Sequence, residues 1–174
     1  VPIKGLDIQN IASVSLGFTF QKQADSLLNK YAKISTFQAS DYNADTTLNN
    51  LEDDLKYFTT VIISIADKDA GNGRYLNFIH SLAKHKNVIV SLYGQGKTLA
   101  AFNNLNSPVI WSSANTEEAA MVVPQLIFGG IPATKKLNTS FSAKYTSGSG
   151  FITAATRLKY TVPEDAGVNS DMLK

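Results

Sequence analysis

The sequence predicts an α/β fold, a three-layer sandwich in which helices cover both faces of an open, mostly parallel sheet. Strand-like and helical segments alternate five times along the chain. The segments at 61–67 and 87–93 are apolar on both faces, as expected of strands that are covered by helices on both sides. We therefore expect a sheet of five to six strands.

Short apolar or β-rich segments are predicted as strands. The clearest are IASVSLG, which ends in a glycine, and the strongly apolar VIISIAD and NVIVSLY. The five predicted strands cover residues 11–17, 34–40, 61–67, 87–93 and 107–113. Residues 134–145 follow a tight turn and are a candidate for a sixth strand at the sheet edge, antiparallel to the others.

Segments of helical composition or periodicity connect these strands, at 21–32, 45–58, 73–86, 97–105 and 116–130. Apolar residues spaced three or four apart place one stripe on the second segment and one on the third. Asp45 can cap the second helix. Asn115 or Thr116 can cap the last one, whose Glu117 and Glu118 suit the positive end of a helix dipole.

The chain divides into a domain and a tail. Residues 1–145 are predicted to form the α/β domain, and residues 146–174 a linker and arm that leads towards a further domain. The stretch TSGSG at 146–150 favours a flexible linker. Because the tail beyond it is rich in apolar side chains, we expect some of them to lie on the domain: Phe151, Ile152, Leu158, Tyr160 and Val162. We interpret the chain as a piece of a longer protein.

Composition argues against several classes of function. The 16 basic and 14 acidic residues are well mixed, so charge gives no reason to expect nucleic acid or an anionic membrane as a partner. No apolar run approaches the length of a membrane span. The absence of cysteine excludes disulfides, thiolate metal sites and cysteine nucleophiles.

The turn GQGKT, residues 94–98, ends in Gly-Lys-Thr, as a phosphate-binding P-loop does. The P-loop pattern requires another glycine five residues before its second glycine. That position, counted back from Gly96, is Ser91, inside a predicted strand. Gly17, after the first strand, is followed by Phe-Thr-Phe and not by the dinucleotide pattern G-x-G-x-x-G. We therefore predict no nucleotide and no other cofactor.

No metal site is predicted. His80 and His85 are five residues apart, whereas a pair that shares one helical face needs a spacing of four. The acidic run 52–54 lies opposite a leucine stripe and reads as a solvated face. The sequon at 138–140 falls on a predicted strand, which argues against glycosylation.

The best candidate site is DKDAGNGR, residues 67–74, at the carboxyl end of a central strand. Open α/β sheets gather ligands at this end. The segment offers Asp67, Asp69, Asn72 and Arg74 on a glycine-rich loop, where a general acid or base could lie. A plain Gly-Asn-Gly turn with an Asp that caps the next helix is the alternative.

The segment LIFGGIPATKKLNTSFSAKY, residues 126–145, resembles the closing signature of the C-terminal α/β domain of glycoside hydrolase family 3. In that family a helix rich in Glu and Ala ends in Leu-Phe-Gly, and a Pro-containing turn and a Lys/Arg-Leu-Pro strand follow. Here 136–138 reads Lys-Leu-Asn where Gly-Arg-Leu-Pro is usual. The opening PIKGLDIQNIASVSLG is similar to the entry strand of that domain. The resemblance covers about residues 1–145.

The tail TRLKYTVPEDAGVNSDML, residues 156–173, resembles the first residues of a β-lactamase-like serine hydrolase domain, without its catalytic Ser-x-x-Lys. The two resemblances together imply a bacterial polypeptide with an upstream catalytic barrel and a downstream serine-hydrolase-like domain as partners. They also imply an extracytoplasmic location, periplasmic or at the cell surface.

Family 3 enzymes are retaining glycosidases whose Asp nucleophile lies on the barrel. In the glucosidase branch the acid/base is a Glu from a loop of this domain, but the loop 67–74 contains no Glu. The resemblance therefore implies the β-N-acetylhexosaminidase branch, in which the barrel supplies the acid/base. It implies no catalytic residue in this chain, an inactive isolated domain, and a role for Asp67, Asp69, Asn72 and Arg74 in lining the cleft or an interdomain contact. The parent enzyme would act on a carbohydrate.

Two alternatives remain. The first is a ligand-binding α/β module of the flavodoxin or receiver type, with an anion or nucleotide at the carboxyl ends of the strands. The second is an interdomain scaffold without a ligand.

Overall fold

The computed structural model describes residues 1–45 and 47–161, and its centre is a five-stranded sheet in the order β2-β1-β3-β4-β5. Every neighbouring pair of strands is parallel. The strands are β1 (Ile11–Leu16), β2 (Ile34–Gln38), β3 (Thr60–Ala66), β4 (Asn87–Tyr93) and β5 (Val109–Ser112). The predicted α/β class is confirmed.

Helices connect the strands and cover both faces of the sheet. The α-helices are α1 (Gln21–Tyr31), α2 (Asn49–Asp54), α3 (Gly73–Leu82) and α4 (Glu117–Phe128), and short 3₁₀ helices span Leu6–Ile8, Ala39–Tyr42 and Gly96–Phe102. Thr116 caps α4, because its hydroxyl accepts the Ala119 N–H at 3.3 Å. Asp45 supports the start of α2, since its Oδ2 accepts the Asn50 N–H at 2.8 Å.

Alternate residues of the strands build two separate cores. On one face Val14, Ile63 and Val90 pack with α2, α3 and the 3₁₀ helix at 96–102. On the other face Ile62 and Ile89 pack beneath α1 and α4. Central strands buried on both faces read as continuous apolar runs, which is why the sequence signal of β3 and β4 is so strong.

A row of buried serines interrupts the core beneath α1 and α4. Ser15, Ser64 and Ser91 are register partners on three adjacent strands, and each is at most 4% exposed. We call these three residues the serine row. Gln21 of α1 enters the same layer, where its Nε2 donates to Ser13 Oγ at 2.8 Å and to Asp25 Oδ1 at 2.7 Å.

Residues 134–145 contain no strand, in contrast to the optional sixth strand of the sequence prediction. Their backbone bonds are local: Leu137 N donates to Ser149 O at 2.9 Å, and Gly148 N donates to Leu137 O at 2.7 Å. The Phe141 ring packs edge-to-face on Trp111, with 5.3 Å between the ring centroids. The segment therefore covers the core that contains α2 and α3 with its side chains and adds no strand to the sheet.

Residues 151–161 form an arm whose backbone lies against the end of α4. Thr156 N and Arg157 N both donate to Gly129 O, at 2.8 and 3.0 Å. Tyr160 packs edge-to-face on Tyr31 at 4.9 Å. Three other apolar side chains of the arm are exposed: Phe151 (90%), Ile152 (63%) and Leu158 (88%). Val162 and the rest of the tail lie outside the described residues.

Candidate functional site

The loop between β3 and α3 lies at the switch point of the sheet, where the strand order reverses between β1 and β3. In doubly wound folds this is the place where ligands bind, outside the carboxyl ends of the strands. The sequence singled out residues 67–74 in this loop. In the structure the four candidate side chains of this loop contact different parts of the protein.

Asp67 joins the loops that follow β3 and β4. Its Oδ2 accepts the Gln95 N–H at 2.9 Å, and its Oδ1 accepts the Lys68 N–H at 2.9 Å. Gly94 has a φ of 114°, and a Cβ there would lie 2.4 Å from Asp67 Cγ. The Gln95 N–H that a phosphate-binding loop would offer to a ligand is thus already used within the protein.

Asp69 fills the crevice between the loops that follow β1 and β3. Gly17 lies against it with a φ of 77°, and a Cβ there would be 2.6 Å from Asp69 Oδ2. This Oδ2 atom is buried and accepts no hydrogen bond; Lys68 Nζ lies 3.9 Å away, beyond hydrogen-bond range. The crevice therefore holds the protein's own negative charge, which disfavours an anionic ligand there.

Asn72 and Arg74 hold the loop and its surroundings in place. Asn72 Oδ1 accepts the Arg74 N–H at 3.0 Å and so caps α3. Arg74 Nη2 donates to the carbonyls of Tyr42 and Asp45 and ties down the segment before α2. The turn therefore has a helix cap, as the alternative interpretation of the sequence proposed, but the capping residue is Asn72 and not an Asp.

The remaining groups singled out by the sequence do not meet at this site. His80 is half-buried at the other end of the sheet, and His85 is exposed. Among the residues that the structure describes, no group of three or more His, Cys, Asp or Glu side chains is placed to hold a metal ion. In the same part of the chain, no helix has the length and apolar character to span a bilayer.

In the GQGKT turn, Gly96 lies against Phe141, since a Cβ at Gly96 would be 2.3 Å from the Phe141 ring.

A buried polar layer below the site escaped the sequence analysis. Tyr93, at the end of β4, stacks on Phe18 at 4.1 Å, and burial raises its pKa above the usual value. Burial also raises the pKa of Asp25, and hydrogen bonds from Ser13 and Gln21 partly offset this. The signal was present in the sequence: IASVS carries two serines among apolar residues of a strand, and IISIA and IVSLY carry one each.

Comparison with known proteins gives a match at the level of the fold. No protein-family model matches the chain, and no curated protein matches it. A solved structure is similar, described as "a unique GCN5-related glucosamine N-acetyltransferase region" in "the fungal multi-domain GH3 beta-N-acetylglucosaminidase". Its TM-score is 0.67 at 16% identity, and the match covers 88% of this chain and 17% of that chain. At this identity the likeness shows the fold alone, and the chain spans about a sixth of that neighbour.

Proposed function

We propose that this chain is a non-catalytic accessory α/β domain of a β-N-acetylhexosaminidase-like retaining glycoside hydrolase of family 3. The observation that carries the proposal is the fold likeness, which takes in 88% of this chain but 17% of a multi-domain family 3 β-N-acetylglucosaminidase. The resemblance of residues 126–145 to the closing signature of the family's C-terminal domain supports it from the sequence.

The geometry of the 67–74 loop favours an accessory role. A retaining glycosidase needs two carboxyl groups about 5–5.5 Å apart that face one glycosidic bond. Asp67 and Asp69 diverge, since Asp67 lies against Gly94 of the loop after β4 and Asp69 against Gly17 of the loop after β1. Asp67 is also hydrogen-bonded to two backbone N–H groups. The loop therefore lacks an acid/base pair of its own.

Asp69 is the residue of this loop that is best suited to an interdomain or cleft contact. Its side chain is 26% exposed although its Oδ2 is buried, so a donor from a neighbouring catalytic domain would contact the exposed part of the side chain. In this proposal residues 1–145 support an upstream barrel, residues 146–174 lead to a downstream serine-hydrolase-like domain, and the protein acts on carbohydrate outside the bacterial cytoplasm.

Hydrolysis of 4-nitrophenyl N-acetyl-β-D-glucosaminide by the chain alone tests the non-catalytic assignment. We expect no turnover above the rate in buffer, with the chain intact and with Asp69→Asn. The matched control is Asp7→Asn, an exposed carboxylate outside the 67–74 loop. Turnover that Asp69→Asn abolishes and Asp7→Asn leaves intact would overturn the assignment.

A ligand-binding module of the flavodoxin or receiver type is the second candidate, favoured by the strand order. The order β2-β1-β3-β4-β5 is that of the flavodoxin-like sheet. Asp69 argues against this candidate, because its carboxylate occupies the crevice at the switch point. Titration with flavin mononucleotide and ATP, followed by fluorescence, decides: saturable binding would establish the module, and no binding would remove it. An interdomain scaffold without any ligand is the third candidate.

A further inference from the structure

A groove of about 770 Å³ opens at the amino end of the sheet, at the opposite end from the 67–74 loop. Its walls come from the first residues of the chain, the starts of β3 and β4, the end of α3 and the loop before β5. The volume lies within the roughly 300–1,000 Å³ that is usual for small-ligand sites. We call it the amino-end groove, and its polar walls include Lys4, Gln9, His80, Lys84, Lys86 and Asn104.

The charge of the amino-end groove is of one sign. Lys4, Lys84 and Lys86 line it together with His80, and none of the described residues that line it is an Asp or Glu. Lys86 is held in place, because its Nζ donates to Lys56 O at 3.0 Å and to Phe58 O at 2.9 Å. An ammonium group has three N–H donors, so one remains for a ligand. The groove therefore presents one cation held by hydrogen bonds, Lys86, together with two exposed lysines.

Amide groups supply the rest of the polar lining. Gln9 Oε1 accepts the hydroxyls of Thr59 and Thr60, both at 2.8 Å, which fixes the side chain and leaves its NH₂ group as a donor. Asn87, Asn104 and Asn106 line the groove and are exposed. Amides both donate and accept hydrogen bonds, so this lining suits a ligand rich in hydroxyl groups.

The position of the groove disfavours phosphate. Helix α3 ends at Leu82, beside the groove, and the carbonyl end of a helix carries a partial negative charge. A compact dianion would be repelled there, and the described lining offers neither an Arg fork nor a helix N-terminus. A single carboxylate, with less charge than a dianion, is a better match for the lysines.

We propose that the amino-end groove binds a carboxylate-bearing oligosaccharide. The carboxylate lies at Lys86, Lys4 and Lys84 add positive charge in the same groove, and the sugar hydroxyls bond to the amides that line it. The choice of a saccharide over another carboxylate rests on the proposed function. The recognition of the carboxylate rests on the groove alone.

Titration of the chain with trigalacturonate, followed by calorimetry and by NMR of the backbone amides, tests the proposal. We expect binding, with amide shifts at 104–108 and around Lys86. Lys4→Gln and Lys84→Gln should each weaken binding by about two- to fivefold, as exposed ion pairs of this kind contribute. Lys97→Gln, an exposed lysine at the other end of the sheet, is the matched control and should leave binding unchanged.

Three further probes separate the possible ligands. Neutral triacetylchitotriose and inorganic phosphate should bind at least about tenfold more weakly than trigalacturonate. A triglutamate peptide that binds more tightly than the sugar would overturn the saccharide assignment. If trigalacturonate does not bind, the proposed site is wrong. If Lys84→Gln then also lowers the melting temperature, the role of Lys84 is to neutralise the partial negative charge at the end of α3. The titration measures binding and not hydrolysis. A negative result would therefore refute the proposed groove ligand without deciding the accessory role, which the activity assay tests.

Discussion

The carboxylate of Asp67 occupies the space that a side chain at Gly94 would need. A Cβ at Gly94 would lie 2.4 Å from Asp67 Cγ, and the same carboxylate accepts the next N–H of that loop at 2.9 Å. The corresponding pair on the other side of β3 is Asp69 and Gly17. The central loop is thus tied to both neighbouring loops through an aspartate that faces a glycine, and the carboxyl end of the sheet is closed by the chain itself.

Gly94→Ala should destabilise the fold by about 1–3 kcal/mol, because alanine is strained at a positive φ and its methyl group collides with Asp67. Thermal unfolding followed by circular dichroism measures the change. Gly71→Ala is the control, since no atom lies within 4 Å of a Cβ at that position. An equal melting temperature for the two variants would show that Asp67 and Gly94 are not packed as described.

Arg74→Met should free the segment before α2. The substitution keeps the aliphatic stem and removes the donor to the Tyr42 and Asp45 carbonyls, at a cost of about 1.5–3 kcal/mol for hydrogen bonds to a charged group. Hydrogen exchange should rise in residues 39–50. Lys68→Met, at a side chain that is 63% exposed, is the control. Unchanged exchange at 39–50 in the Arg74 variant would contradict the anchoring role.

Asp25→Asn should stabilise the protein at neutral pH. Burial raises the pKa of Asp25 above 3.8, so the folded state holds this proton more tightly than the unfolded state. Stability is therefore lost as pH rises from 3.8 through the folded pKa, and the asparagine variant avoids that loss. Melting temperatures should differ at pH 7 and converge below pH 3.8. A variant that is less stable than the parent at pH 7 would refute this account of the buried layer.

Tyr160→Ala should lower stability by about 1–2 kcal/mol, because it removes an aromatic pair and a hydrogen bond that hold the arm. Tyr160 lies edge-to-face on Tyr31 at 4.9 Å, and its hydroxyl donates to Lys30 O at 2.8 Å. Phe151→Ala, at a side chain that is 90% exposed, is the matched control from the same arm. Similar losses in chemical denaturation for both variants would mean that the arm packs differently.

The sequence predicted the parts of the fold that local pattern determines. Strands β3 and β4 were clear because both of their faces are apolar, and the capping side chain Thr116 is a polar residue at a helix start. Asp45 lies before α2, whose N-cap is Leu48, and bonds to the Asn50 N–H instead of capping the helix. Residues 134–145 were less predictable, since a β-rich composition does not reveal whether a partner strand is near. In the structure the backbone groups of this segment form hydrogen bonds within the loop, and the Phe141 ring packs on Trp111.

The position of the 67–74 loop in the fold was predictable, but the contacts of its side chains were not. The place of residues 67–74 followed from the rule that ligands gather at the carboxyl ends of parallel strands. The roles of Asp67 and Asp69 depend on Gly94 and Gly17, which are distant in sequence and adjacent only once the sheet has formed. The serine row was likewise not predictable, because the three serines become neighbours only through the register of the strands, although each serine is visible in its own strand sequence.

The activity of the native polypeptide that contains this chain tests the accessory role most directly. Its hydrolysis of 4-nitrophenyl N-acetyl-β-D-glucosaminide is compared with that of the isolated chain at equal molar concentration. The account predicts turnover by the native polypeptide and none by the chain. Turnover by the isolated chain, or a native polypeptide that does not hydrolyse β-N-acetylglucosaminides, would contradict it.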